Sequence, residues 1–364
     1  MIFAKAGFTA DEIKTALVAP QRRIRFRYEL LGRDLNYKRD LKTVSRASIA
    51  FDSTASIMRT AWFSVKEDGD TDFMSARVRP VFGLHMTGST WAEWPLGVFV
   101  LSTPERLTER KNVTREIEAY DLNHVLKSGS IKERLYFRAG TRYTDAVLNV
   151  LSLAGIKRAN IIGAEDVLRA DREYSIGTSW LEIINDLLAA INYTPIHPDE
   201  NGIFEAYRMR DVELADIQYC YSTRKDSVIL PGARAQTDYF NVPNVFIAYV
   251  SNPDLPAMHS IYENDDPTSP YSTRNRQVVL EKRELTDIST QRELDAYVRR
   301  WALDATAAPH DVSFSTGLMP MHGYEDVYQF DHERLGINEI YKETAWDMDL
   351  IAGGVMNHSA RMVI

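Results

Sequence analysis

Ile24, Phe26, Tyr28 and Leu30 alternate with Arg25, Arg27 and Glu29, so every apolar side chain falls on one face of an extended segment and every charge on the other. A helix, whose faces recur every roughly 3.6 residues, cannot separate such a pattern, so the segment must be a strand with one buried side. The same β-rich character returns around Ala47-Ile49-Phe51, Ala61-Phe63-Val65, Val98 to Leu101 and Val113 to Tyr120. Strands in such close succession predict an antiparallel sheet or barrel over the first third of the chain. Ahead of them, Thr9-Ala10-Asp11-Glu12 has the form of a helix capping box, and Ile13, Ala16 and Leu17 follow at helical spacing until Pro20.

The period changes after Lys127. A helix is predicted from about Thr141 to Ala154, with Tyr143, Val147, Val150 and Leu151 on one face and Gly155 as its stop. A second starts at the capping box Ser179-Trp180-Leu181-Glu182 and stacks Trp180, Ile184, Leu187 and Leu188 before Pro195. Asn201-Gly202 then forms a hairpin turn, because both residues tolerate positive φ. From about Asp226 strands return at Asn244 to Val250 and Arg276 to Glu281, separated by a polar stretch, Asn252 to Pro270, expected as a surface loop. A third helix begins at Thr290, carries Leu294, Tyr297, Val298 and Trp301, and stops at Pro309. Short strands at 312–314, 324–330, 336–341 and 360–364 end the chain. The fold class is therefore α+β and mainly β: β-rich ends around a helical middle, an order compatible with a diverged duplication.

A length of 364 residues fits two or three domains, and 45% hydrophobic with 26% charged residues supports folded cores. The net charge of -8 argues against a protein built to neutralise phosphates. A single cysteine, Cys220, excludes an intramolecular disulfide and a multi-cysteine zinc site; a small core residue is its expected role. No apolar run approaches the roughly 18 to 20 residues that span a bilayer, and Lys5, Asp11, Glu12 and Lys14 interrupt the N-terminus, so neither a membrane anchor nor a signal peptide is expected.

Catalytic signatures are missing from the sequence: no G-x-S-x-G elbow, phosphate loop, H-E-x-x-H or dinucleotide fingerprint occurs. His322, Asp331, His332 and Glu333 have metal-ligating chemistry, but His322 and His332 flank a predicted strand, and solvated loop groups are the preferred reading. The run Glu263-Asn264-Asp265-Asp266 lacks the glycine and terminal glutamate of a calcium loop. Asp199-Glu200 could serve as a glycosidase pair, yet it lies beside Asn201-Gly202, where turn geometry alone favours acids. No catalytic residue, metal or cofactor is expected. Leu84, Met86, Trp91 and Trp94 stand among Gly, Ser and Thr between Gly83 and Leu96, as in an irregular loop, and are candidate subunit-interface residues because interfaces enrich aromatics.

Several stretches together resemble the hub or tail-associated structural proteins of phage and phage-derived contractile tails. They are WAEWPLGVFVLSTPE (Trp91 to Glu105), EAYDLNHVL (Glu118 to Leu126), RAGTRYTDAVLNVLSLAGI (Arg138 to Ile156), SIGTSWLEIINDLLAAINYTPIHPDENGIF (Ser175 to Phe204) and NVPNVFIAYV (Asn241 to Val250), in that order. The resemblance implies two tail-tube-like antiparallel β-barrel domains, at residues 1–126 and 226–364, around an α/β middle module at 127–225. It also implies a non-enzymatic baseplate hub, a homotrimer that joins the tail tube to spike or tip proteins in the virion tail, assembled in the host cytoplasm. DNA or tape-measure protein would pass its channel without tight binding. One departure is Glu325-Asp326, where a Gly-Asp turn is expected before a late strand. The alternatives are a tail-associated cell-wall hydrolase and a carbohydrate-binding tail module, whose loop tryptophans would stack on sugars.

Overall fold

The first helix, α1 (Ala10–Val18), starts where the capping box places it: Thr9 Oγ1 accepts from Glu12 N, and the Glu12 carboxylate accepts from Thr9 N at 2.8 Å. It buries Ile13 and Leu17. The computed structural model describes the chain except for residues 2, 6, 20, 68–71, 87, 89, 110–111, 211, 225–226, 238–241, 252–256, 286–289, 307–309 and 364. The expected stops at Pro20 and Pro309 and the boundary at Asp226 lie outside the described residues.

Eight strands follow: β1 (Ile24–Leu31), β2 (Tyr37–Asp40), β3 (Val44–Asp52), β4 (Arg59–Lys66), β5 (Arg77–His85), β6 (Trp91–Pro95), β7 (Phe99–Glu109) and β8 (Asn112–Tyr120). The alternating segment is β1, and its apolar side meets that of β5 in antiparallel register, Phe26 opposite Phe82. The segment Gly83 to Leu96 is not an irregular loop. Its two arms are the β5–β6 hairpin, paired from Val81↔Pro95 to His85↔Trp91.

The middle module contains α2 (Asn123–Ser128), β9 (Leu135–Phe137), α3 (Tyr143–Leu153), β10 (Ala159–Ile161), β11 (Arg172–Tyr174), α4 (Trp180–Ala189), β12 (His197–Pro198) and β13 (Phe204–Ala206). Ser179 caps α4 by accepting from Glu182 N at 3.2 Å. Ile183, Ile184, Leu187 and Leu188 are buried against Val147, Val150 and Leu151 of α3, while Trp180 is only half-buried. At the β12–β13 turn Gly202 has φ 81°, and an added Cβ would stand 3.0 Å from Leu122 and 3.1 Å from Leu35 and Val98, so this hairpin tip packs directly on the first β-rich segment.

The remaining elements are β14 (Tyr219–Ser222), β15 (Arg234–Thr237), β16 (Val245–Val250), β17 (Met258–Glu263), β18 (Leu280–Leu285), α5 (Gln291–Thr306), β19 (His310–Gly317), β20 (Val327–His332), β21 (Ile337–Asp349) and β22 (Val355–Met362). The polar stretch expected as a loop contains β17, which pairs along the whole of β16 and takes its order from that partner rather than from its own composition. Here β16, β17 and β18 pack on α5 around Phe246, Val250, Leu294, Val298 and Trp301. The strand expected from Tyr324 begins at Val327, because residues 323–326 form a turn in which Asp326 accepts from Gly323 N at 2.7 Å. Glu325 takes φ 50° there, so it adopts the left-handed conformation that glycine was expected to supply, with Lys342 3.1 Å from its carboxylate. Cys220 is exposed on β14, correcting its expected place in the core: period two turns Tyr219 and Tyr221 inward and the residue between them outward.

With 44% of the chain in strands and 17% in helices, the fold is α+β and mainly β. One fourteen-stranded sheet runs β15-β19-β22-β21-β3-β4-β8-β7-β5-β1-β2, with β20 and β14 added at β21 and β6 at β5. The two β-rich ends meet at β3 and β21, where Phe51 stacks on Trp346 with ring centroids 5.6 Å apart. They also share one core, which runs from Ile13, Phe63 and Phe82 to Tyr221, Phe330 and Met356. Among the described residues no helix is long and apolar enough to cross a membrane.

Candidate functional surface

The strands on both sides of the β3–β21 seam turn one face into the shared core and the other to solvent, and the register defines the solvent face. Antiparallel partners put their side chains on the same side, so Ser315, Asn357, Asp347, Ala50, Thr60 and Tyr120 form one row across six strands. A second row runs Asp349, Ser48, Trp62 and Glu118. Apart from Trp62 and the amide of Asn357 the side chains are small, hydroxylated or acidic, and they cross-link the strands: Ser315 Oγ donates to Asn357 Oδ1 at 2.8 Å, and Asn357 Nδ2 donates to Asp347 Oδ2 at 2.8 Å. Asp52, Glu105, Glu116, Glu118, Asp311, Asp347 and Asp349 are set here against Arg46, Lys66, Arg234, Lys342 and Arg361, and Arg361 is tied to Asp311 at 3.2 Å. A shallow hollow lies on the seam between Ser48, Thr60, Trp62, Glu118 and Asp347. Such a face is wet and slightly acidic, with few groups that would hold a phosphate.

The tryptophan hairpin divides by the same parity. Leu84, Met86 and Trp94 point into the chain's own core, so of the four candidate interface residues only Trp91 is half-exposed. Trp91 lies under Arg25, whose Cζ is 4.1 Å from the ring centroid, and edge-on to His85. Gly83 makes this stack possible, since a Cβ there would approach Arg25 Cγ at 2.9 Å and Trp91 at 3.3 Å. Around it Arg27 bridges Glu29, Asp40 and Glu93, and Arg79 bridges Glu29.

Of the acidic groups singled out in the sequence, Asp199, Glu263, Asp265, Asp266 and Asp331 take structural partners. Asp199 Oδ1 accepts from Asn201 N and Ile203 N at 2.8 and 2.7 Å, closing the β12–β13 turn. Thr273 donates to Glu263, Arg274 pairs with Asp265, and Asp266 accepts from Thr268. The set His322, Asp331, His332 and Glu333 is dispersed: Asp331 is engaged by Arg224 and Ser222, His332 Nδ1 accepts from Leu335 N, and His322 enters the core. Burial also perturbs Asp121 and His197, which lie outside this set. Burial lifts Asp121 to a pKa of about 6 even though the amides of Arg59 and Asn123 donate to it. Burial lowers His197 to about 4, keeping it neutral where it stacks on Tyr324 at 4.1 Å. Each joins segments of the fold: Asp121 ties β4 to the start of α2, and His197 ties the middle module to the turn before β20.

No protein-family model matches the chain, and no curated protein sequence matches it. Solved structures do. The tail protein from Neisseria meningitidis MC58 superposes with a TM-score of 0.65 at 11% identity, over 92% of this chain and 96% of its own. The 43 kDa tail protein of prophage MuSo2 from Shewanella oneidensis gives 0.63 at 9% identity, over 92% and 98%. A chain of the half-lidded Francisella PdpA–VgrG complex gives 0.61 at 7% identity, over 94% of this chain and 58% of its own. At such identities the likeness is one of fold, and the fold of this chain is that of phage and prophage tail proteins.

Proposed function

We propose that the chain is a non-enzymatic structural hub of a phage or phage-like tail. The observation that carries this reading is the likeness in fold to two tail proteins over nearly the whole length of each. In this reading each β-rich end is a tube-like barrel, residues 1–126 and 226–364 with the module 127–225 outside, and three copies close a ring of six barrels between the tail tube and the spike or tip. The likeness to a chain of a VgrG complex supports the placement beside spike-type partners. The polar, slightly acidic face of the sheet lines the channel, where like charge lets DNA or an extended tape-measure protein pass without sticking. Trp91, half-exposed on the β5–β6 hairpin, is the aromatic through which one copy meets its neighbour. The particle is assembled in the bacterial host cytoplasm and the chain resides in its tail.

Native mass measurement across a concentration series, followed by imaging of tail particles, tests this reading. A trimer that appears as a ring at the end of the tube is the expected result. A chain that stays monomeric and is missing from the particles overturns it. Lysis of a peptidoglycan zymogram by the purified chain would replace the hub with the cell-wall hydrolase.

A further inference from the structure

His322, Glu343 and His358 stand far apart in the sequence, yet the second β-rich end brings them together in its core with 3%, 0% and 1% of their surfaces exposed. Glu343 comes from β21, His358 from the adjacent β22, and His322 from the connection after β19. The two imidazoles are held alike. His322 Nε2 lies 2.8 Å from Tyr221 Oη, and His358 Nε2 lies 3.0 Å from Thr316 Oγ1. With the outer nitrogen of each ring anchored on a hydroxyl, both Nδ1 atoms turn toward the one carboxylate: His358 Nδ1 is 3.0 Å from Glu343 Oε1, and His322 Nδ1 is 3.8 Å from Oε2.

Protein hydrogen bonds complete only half of this arrangement. His358 can satisfy Oε1, but His322 Nδ1 and Glu343 Oε2 are buried without a hydrogen-bond partner, and the hydroxyl of Tyr328 is buried against the same carboxylate. Among the described residues no lysine or arginine pairs with Glu343, whose enclosed carboxylate faces the two imidazoles and the Tyr328 hydroxyl, while the buried Met1 ammonium is paired with Asp326 at 2.6 Å. One atom from each of the three residues lies within 4.8 Å of the others. In the tautomer whose Nε2–H donates to the hydroxyl, Nδ1 keeps a free lone pair, which is the way proteins orient a metal-binding histidine; in the other tautomer His358 Nδ1–H donates to Glu343 Oε1.

We propose that His322, Glu343 and His358 form a structural site for a divalent transition ion of the zinc class. Two imidazoles and one carboxylate suit zinc, whereas calcium and magnesium want oxygen alone. Bonds of about 2.0–2.2 Å require the three side chains to close by on the order of 1 Å. Tyr328 Oη or one water supplies the fourth position. The ion joins β21 and β22 to the connection that carries the Glu325-Asp326 turn, where Asp326 Oδ2 lies 3.7 Å from His322 Nδ1. Its role is to hold the fold, since the site is closed to solvent.

The test uses the full chain, purified without a histidine tag, and elemental analysis. About one equivalent of zinc should survive dialysis against a chelator, be lost on unfolding in chelator, and return on refolding with zinc together with a higher melting temperature. Refolding with cobalt(II) should produce visible d–d absorption of a four-coordinate site. His358→Gln and Glu343→Gln should lower zinc affinity at least about tenfold. Should either variant fail to fold, the analysis of the unaltered chain decides by itself. Native chain that carries no zinc, and that after refolding neither retains zinc nor shows the cobalt spectrum, would mean that a buried water fills the place, and the proposal falls. Zinc retained undiminished by a folded His358→Gln chain would place the metal elsewhere and overturn it equally.

Discussion

Leu187→Ala tests the packing of the middle module most directly. Leu187 has no exposed surface and sits on α4 between Ile183, Ile184 and Leu188, all equally enclosed and backed by Val147 and Val150 of α3. Truncation removes three carbons, a transfer cost of about 2.4 kcal/mol at roughly 0.8 kcal/mol per methylene. Neighbours locked on two helices cannot collapse fully into the space, so a cavity term adds to this and the expected loss is about 3 to 4 kcal/mol. Because the described residues form three cores, urea unfolding should be followed at Trp180, which begins α4 and is half-buried, together with far-ultraviolet circular dichroism. The midpoint should fall while the slope stays the same. Leu153→Ala, on the outer side of α3 where the side chain is 55% exposed, should change stability by no more than about 0.5 kcal/mol. A loss at Leu187 below about 1 kcal/mol, or one equal to that at Leu153, would refute the packing argument.

Three further outcomes are expected. Asp121 has a folded pKa of about 6, above the ordinary carboxylate value, so between about pH 4 and 6 the folded chain holds a proton that the unfolded chain has lost; its contribution to stability therefore falls as pH rises through that window, by on the order of 3 kcal/mol. The Asp121→Asn chain should lack this slope, and parallel stability profiles for the two chains would contradict it. Trp346→Phe should cost under about 1.5 kcal/mol by denaturant titration, because the lost contact with Phe51 is offset by removing an indole N–H that is buried without a partner. Trp91→Asp should impair ring assembly, read by native mass, more than it lowers the melting temperature; an unaffected ring would return Trp91 to a purely local role.

The candidate surface was legible only in part. Period two in the strands told which residues share a face, so the sorting of Ser48, Ala50 and Thr60 away from Ile49 and Ala61 follows from sequence, but the rows those residues form with Asp347 and Asn357 do not. Likewise the alternation that puts Trp94 inside and Trp91 outside was present in WAEW, yet it was hidden by the surrounding Gly, Ser and Thr, which have the composition of a loop. Metal-ligating residue types could be counted, but proximity along the chain grouped His322 with His332, and the fold grouped it with Glu343 and His358.

Features that depend on neighbours a few residues away were readable along the chain. The capped helices at Thr9 and Ser179, the apolar faces of α3 and α4, the hairpin at Asn201-Gly202 and the half-buried strands of the first third all rest on local hydrogen bonds and on the periods of side-chain direction. Tertiary structure alone decided that β3 pairs with β21, that the two β-rich ends share one core and one sheet, that β17 is a strand, and that Glu325 adopts a left-handed turn. Strand pairing carries no information about which distant strand will be the partner, since any alternating segment offers the same backbone groups. Only the packing of the whole chain selects the partner, and with it the rows of side chains on the seam and the cluster beneath them.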